Sequence, residues 1–102
     1  MGRAENQIQK TIIQYLKLRN YFFWRQNNTP VYDVKRGTYR SFTGTKGLPD
    51  IIVLSNPMIF IECKSKNGKQ TMEQKIFQNQ AEMQGHIYVV AKNLQDVINV
   101  LH

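Results

Sequence analysis

Apolar residues recur at helical spacing near the start of the chain. Ile8, Ile12, Tyr15 and Leu16, with Arg19 closing the series, predict an amphipathic helix over residues 4 to 19. The period then changes. Tyr21-Phe22-Phe23-Trp24-Arg25 is short and aromatic, a strand by propensity, and Asn27-Asn28-Thr29-Pro30 breaks it. An aromatic run of this kind is more often core than a base-stacking surface. Residues 31 to 43 set aromatics among Lys35, Arg36 and Arg40 around Gly37, the pattern of a basic hairpin or flexible loop. A turn-rich stretch from Gly44 to Pro49 leads to Asp50. Ile51 to Leu54 reads as a strand, Ser55-Asn56-Pro57 as a turn, and Met58 to Lys64 as the returning strand, closed by Asn67-Gly68. Thr71 with Gln74 three residues later forms a capping box that opens a helix, which Gly85 ends. Ile87 to Ala91 has the composition of a buried strand. Asn93 caps a last helix with Leu94, Val97, Ile98 and Leu101 on one face. The order α-β-β-β-β-α-β-α predicts a mixed α/β fold in a single domain over residues 1 to 102.

The most informative segment is the hairpin from Pro49 to Lys64. With Ser55 to Pro57 as a three-residue loop, Ile52 pairs with Phe60 and Asp50 with Glu62; one more loop residue would turn Asp50 to the wrong face. Opposed residues on one face lie roughly 4.5–5.5 Å apart at Cβ, and like charges there are destabilising. Both strands are otherwise apolar on both faces, as in a central, covered hairpin. Two carboxylates at its end need a cation or a shared proton. Lys64, two residues beyond Glu62, points to the same face and offsets part of the charge. Simple strand-end charges paired with Lys46 or Lys64 are the plainer alternative. Oxygen ligands favour Mg²⁺ or Mn²⁺ over zinc. His86 and His102 show no ligand spacing, and His86, after Gly85, is expected to be exposed and silent. The Cys63 thiol points away from Glu62 and Lys64, as a small core residue does.

Charge agrees with that chemistry. The chain carries fourteen Lys and Arg against seven Asp and Glu, a net +7. Residues 1 to 50 hold nine basic and three acidic groups, leaving five and four for the remainder. Such a field favours polyanions, nucleic acid above all. The single cysteine cannot form an internal disulfide, which agrees with a reducing cytosol. No apolar run is long enough to span a membrane, and Met1-Gly2-Arg3-Ala4-Glu5 opens no secretory signal.

Pro49-Asp50, then Glu62-Cys63-Lys64 after an apolar hairpin, resembles the PD-(D/E)XK nuclease signature. Gly47-Leu48-Pro49-Asp50, Glu5 on the first helix, and Gly68 followed by Gln74 are similar to the VRR-NUC branch, the virus-type replication-repair nucleases. The resemblance spans nearly the whole chain and fits least well at residues 26 to 43. It implies a restriction-endonuclease-like core, a mixed central sheet flanked by helices. It further implies Asp50 and Glu62 as metal ligands, with the Cys63 carbonyl as a third and Glu5 as an accessory acid reaching Mg²⁺ or Mn²⁺. Lys64 would be the catalytic lysine and Gln74 an accessory catalytic residue, although the capping box explains Gln74 equally well. Small stand-alone members of the family imply a homodimer acting on branched or junction DNA in repair, in the cytoplasm of a bacterial or phage-infected cell. Lys35, Arg36, Arg40 and Lys46 are the candidate phosphate contacts. A catalytically silent DNA-binding module and a sequence-specific restriction-type nuclease are the alternatives. The intact Asp50, Glu62 and Lys64 weigh against the first, and the lack of a recognition insertion against the second.

Overall fold

The computed structural model describes residues 3–26, 31–40 and 46–101, with side chains omitted at 31–33 and 38–40. Helix α1 (Arg3–Leu18) is followed by β1 (Phe23–Arg25), β2 (Val31–Asp33) and β3 (Thr38–Arg40). Then come β4 (Ile51–Val53), β5 (Ile59–Cys63), α2 (Met72–Met83), β6 (Ile87–Ala91) and α3 (Leu94–Ile98). The main sheet runs β1-β4-β5-β6. Its first two pairings are antiparallel and β5-β6 is parallel, reached through the α2 crossover. This is the mixed, helix-flanked sheet that the sequence pattern predicts. The basic segment forms a separate antiparallel hairpin, β2-β3, with Gly37 at positive φ in its turn. Of the two forms the sequence pattern left open there, a basic hairpin or a flexible loop, it takes the hairpin.

Burial follows from period two. Ile51, Val53, Ile59, Ile61 and Cys63 lie on one face and are almost wholly buried with Ala91, against Ile12 and Leu16 of α1 and Val97 of α3. The opposite face carries Ile52, Phe60, Glu62 and Tyr88. Its β5-β6 half lies under α2, where Phe77 packs edge-on to Phe60 at 5.1 Å and tilts against Tyr88 at 6.2 Å. Cys63 is 1% exposed, a core residue as its position in the strand implies.

The caps also form as the residues dictate. Thr71 and Gln74 make the reciprocal capping box at the start of α2, and Gly85 takes φ +85° just beyond its end. Asn93 caps α3 by accepting from the Asp96 amide at 3.0 Å.

Two local expectations are corrected. His86 is half-buried, not exposed and silent; its Nδ1 accepts from the Met58 amide at 3.1 Å and its ring stands edge-on to Phe60. Met58 immediately precedes β5, and the imidazole satisfies its amide. The aromatic run divides between two environments. Tyr21 and Phe23 pack on the core, whereas Phe22 is 68% exposed and Trp24 39% exposed.

Candidate active site

The site sits where β4 begins and β5 ends. Ile51 pairs with Ile61, Ile52 with Phe60 and Val53 with Ile59, so the three-residue turn sets the predicted register. Continued by one step, that register brings Asp50 opposite Glu62. The Asp50 carboxylate is fixed by the backbone: its Oδ2 accepts from the Cys63 amide at 2.8 Å. Glu62 is 3% exposed. Its Oε1 accepts from Gln74 Nε2 at 2.9 Å and lies 3.8 Å from the Lys64 ammonium. Its Oε2 is buried and, among the described residues, has no hydrogen-bond partner.

Burial dominates the electrostatics. It raises the Asp50 pKa against the Cys63 amide, which lowers it. Burial first, and the Asp50 charge second, push Glu62 up to about 8, with Lys64 offsetting only part of the rise. Two carboxyl groups in a poorly solvated site give up their second proton late. A divalent cation would displace it, and the orphaned Oε2 is an oxygen ligand placed for one. The donor set is all oxygen, which suits a hard cation.

Gln74 holds two jobs at once. Its Oε1 accepts from the Thr71 amide at 2.8 Å in the capping box, while its Nε2 reaches Glu62. One planar carboxamide thus forms the cap and also contacts Glu62. Glu5 lies farther along the strand end, where its Oε1 meets the Ser65 amide at 3.5 Å and its charge raises both carboxylates only as a minor contribution. Among the described residues no three His, Cys, Asp or Glu side chains converge on one point, so the site is a two-carboxylate site with Glu5 at its margin. The Cys63 thiol faces the core and its pKa is raised by burial; what the residue brings to the site is backbone.

Lys35 and Arg36 are exposed in the β2-β3 turn and Lys46 is exposed beside the first turn of α2. The side chain of Arg40 lies outside the described residues.

Tyr88 escaped the sequence reading. It lies one pair from Glu62 on the same face, since Phe60 pairs with Tyr88. Its hydroxyl is buried, and the geometry gives it no hydrogen-bond acceptor or donor at full strength among the described residues. Burial and then the Glu62 charge lift its pKa to about 12, and Gln70 offsets part of the rise. Nothing in the sequence fixes a parallel register between strands joined through a helix, so the proximity was not readable.

No family model matches the chain, and no curated protein matches it. Solved structures do. One described as a VRR_NUC domain superposes with TM-score 0.70 at 18% identity, over 97% of this chain and 95% of that one. A second, a VRR_NUC domain protein, gives TM-score 0.70 at 24% identity over 98% and 86% of the two chains. The chain has the restriction-endonuclease-like fold of these VRR_NUC structures. No helix among the described residues is long and apolar enough to cross a membrane.

Proposed function

We propose that this chain is a VRR-NUC nuclease that hydrolyses phosphodiester bonds in DNA with Mg²⁺ or Mn²⁺, cutting within the strand as an endonuclease. The observation that carries the proposal is the buried Asp50-Glu62 pair with one carboxylate oxygen unsatisfied beside Lys64. Asp50 and Glu62 would hold the ion, with the Cys63 carbonyl and Glu5 contributing directly or through water. When bound, such an ion supplies a polarised phosphoryl oxygen and a water of lowered pKa. The protein's own part is orientation and charge. The Cys63 amide fixes Asp50, and Gln74 ties one Glu62 oxygen so that the other faces inward. Lys64, nearly buried, keeps its ammonium beside Glu62, where it orients the attacking water or offsets charge growing on the phosphate.

DNA is the preferred substrate because the charge excess lies in the first half of the chain, with Lys35, Arg36, Arg40 and Lys46 contacting phosphates. Action on branched DNA by a homodimer completes the proposal. The outer face of α2 supports it: Met72, Ile76, Asn79 and Met83 follow a 4-3-4 spacing, and all four are exposed. That spacing is the seam of a helix that packs on another helix. Cytoplasmic action in a bacterial or phage-infected cell belongs to the same proposal.

The deciding experiment is cleavage of a panel of junction, flap, single-stranded and linear duplex DNA with Mg²⁺ and Mn²⁺. The wild-type chain is expected to cut, and Asp50→Asn and Glu62→Gln to lose cutting while remaining folded. Full activity in either variant removes the site.

A further inference from the structure

The face that carries Asp50 and Glu62 is only half covered. Residues 22, 24, 50, 52, 54, 60 and 62 share it, because Trp24 pairs with Ile52 and Ile52 with Phe60. α2 covers the β5-β6 half. Over the β1-β4 half, Phe22, Trp24 and Leu54 are 68%, 39% and 53% exposed. The Leu54 amide donates to the Phe22 carbonyl at 2.9 Å, so these residues are held in the sheet and their outward placement is fixed. Tyr21 and Phe23, alternate in sequence, satisfy the core from the other side. Phe22 stays mostly in water and Trp24 keeps about two fifths of its surface there, which forfeits part of the gain from burying large apolar side chains.

The exposed pair lies next to the chemistry. The Gln26 amide, two residues beyond Trp24 and just past the end of β1, donates to the Asp50 carbonyl at 2.8 Å. At the rise of a β-strand that is roughly 7 Å. Phe22 and Trp24 share the face of Asp50 and Glu62, so the substrate of that carboxylate pair passes over them. Under the nuclease assignment that substrate is a nucleic-acid strand, and unpaired nucleotides present flat apolar bases to such a surface.

We propose that Trp24 and Phe22 form a stacking ledge for unpaired bases of the DNA strand next to the bond that is cut. This rests on the nuclease assignment and names the substrate feature that the site selects, a single-stranded segment or opened junction arm.

Trp24 is the single tryptophan, so its fluorescence reports the ledge directly. In EDTA, oligothymidylate is expected to quench Trp24 emission saturably, and a blunt duplex of equal length much less. Phe22→Ala and Trp24→Ala should each weaken oligothymidylate binding by about tenfold or more, read by anisotropy. Trp24→Phe should keep most of the affinity, and circular dichroism checks that each variant is folded. Oligothymidylate that binds with unchanged emission overturns the ledge, as does failure to bind at all. Self-association that Trp24→Ala abolishes, with DNA affinity unchanged, overturns it in favour of a protein contact. Metal-supported cleavage is scored separately. Cleavage without quenching removes the ledge and leaves the nuclease; quenching without cleavage does the reverse.

Discussion

Gln74 shows how one residue can serve a helix cap and a buried carboxylate together. Thr71 and Gln74 share the capping box, but only Gln74 touches Glu62. Thr71→Ala should therefore cost about 1 kcal/mol of stability and leave metal-saturated cleavage unchanged. Gln74→Ala should cost a similar amount and also slow cleavage, because Glu62 loses the donor that orients it. Thermal melts beside single-turnover rates separate the two; equal rates for both variants would make Gln74 a cap and nothing more. Glu62 makes a second prediction. In the unfolded chain it loses its proton near the ordinary value of 4.5, whereas in the folded, metal-free protein it keeps the proton up to about 8. Between those values the native state binds more protons than the unfolded one, so stability falls as pH rises. The contribution is complete below the lower value and gone above the upper, and Asp50, also raised, acts in the same direction. The metal-free melting temperature is expected to drop from about pH 5 to about pH 8. Mg²⁺ should reverse the drop, since ion and proton compete for the same oxygens, and Glu62→Gln should flatten it. A pH-independent melt would mean that the pair is not strained. These two carboxylates were legible in the sequence because strand alternation and a short turn fix their face. The second role of Gln74 was not, since it depends on where α2 lies over the sheet.

Elements differ in how far their own residues determine them. The β4-β5 hairpin was readable because a three-residue turn leaves one register. The capped helices were readable from Thr71, Gln74, Gly85 and Asn93, which act within a few residues of themselves. The aromatic strand was readable only as a strand. Which side of Tyr21 to Trp24 is buried depends on α1 covering one sheet face and α2 stopping short on the other. The contact of Gly47 with α2 belongs to this class too. Gly47 takes φ +78°, and a Cβ there would overlap the Glu73 carbonyl and come within 2.8 Å of the Gln74 nitrogen. The loop that delivers Asp50 is thus seated on the same helix turn that delivers Gln74. Gly47→Ala should destabilise by more than about 2 kcal/mol and depress cleavage beyond what partial unfolding explains. Activity measured well below the melting temperature tests it; a folded variant with the wild-type rate would show that this seat does not position the site. The basic hairpin carries a separate expectation. Replacing Lys35, Arg36 and Arg40 together by alanine should weaken DNA binding and reduce its salt slope by up to about three. Metal binding should be unaffected.

At the scale of the whole molecule, each copy carries one Asp50-Glu62 pair, while a junction offers two symmetric strands. A two-fold dimer is the simplest way to present two sites, and α2 supplies a surface suited to it. Its inward face is Gln74, Phe77, Gln78 and Ala81; its outward face is the Met72, Ile76, Asn79, Met83 seam, flanked by Lys75 and Glu82. When two such helices cross antiparallel about a two-fold axis near their middle, Met72 of each copy meets Met83 of the other. Lys75 then faces Glu82 across the seam, twice over. A cavity of about 300 Å³ beside Ile76, lined also by Lys46, Glu73, Phe77 and Gln80, leaves room for a side chain from the other copy. One short helix pair buries less than the roughly 800 Å² per partner of a standard interface, so association is expected in the micromolar range. Lys75→Glu should drive the protein to monomer, because it sets Glu against Glu, and Lys75→Glu with Glu82→Lys should restore the dimer. Sedimentation equilibrium gives the association constants, and a four-way junction assay shows whether paired cuts fall to single nicks in the monomeric variant. If the double swap fails to recover what the single change loses, α2 is not the interface; if the wild-type chain is monomeric throughout and still cuts, the nuclease stands and the dimer falls.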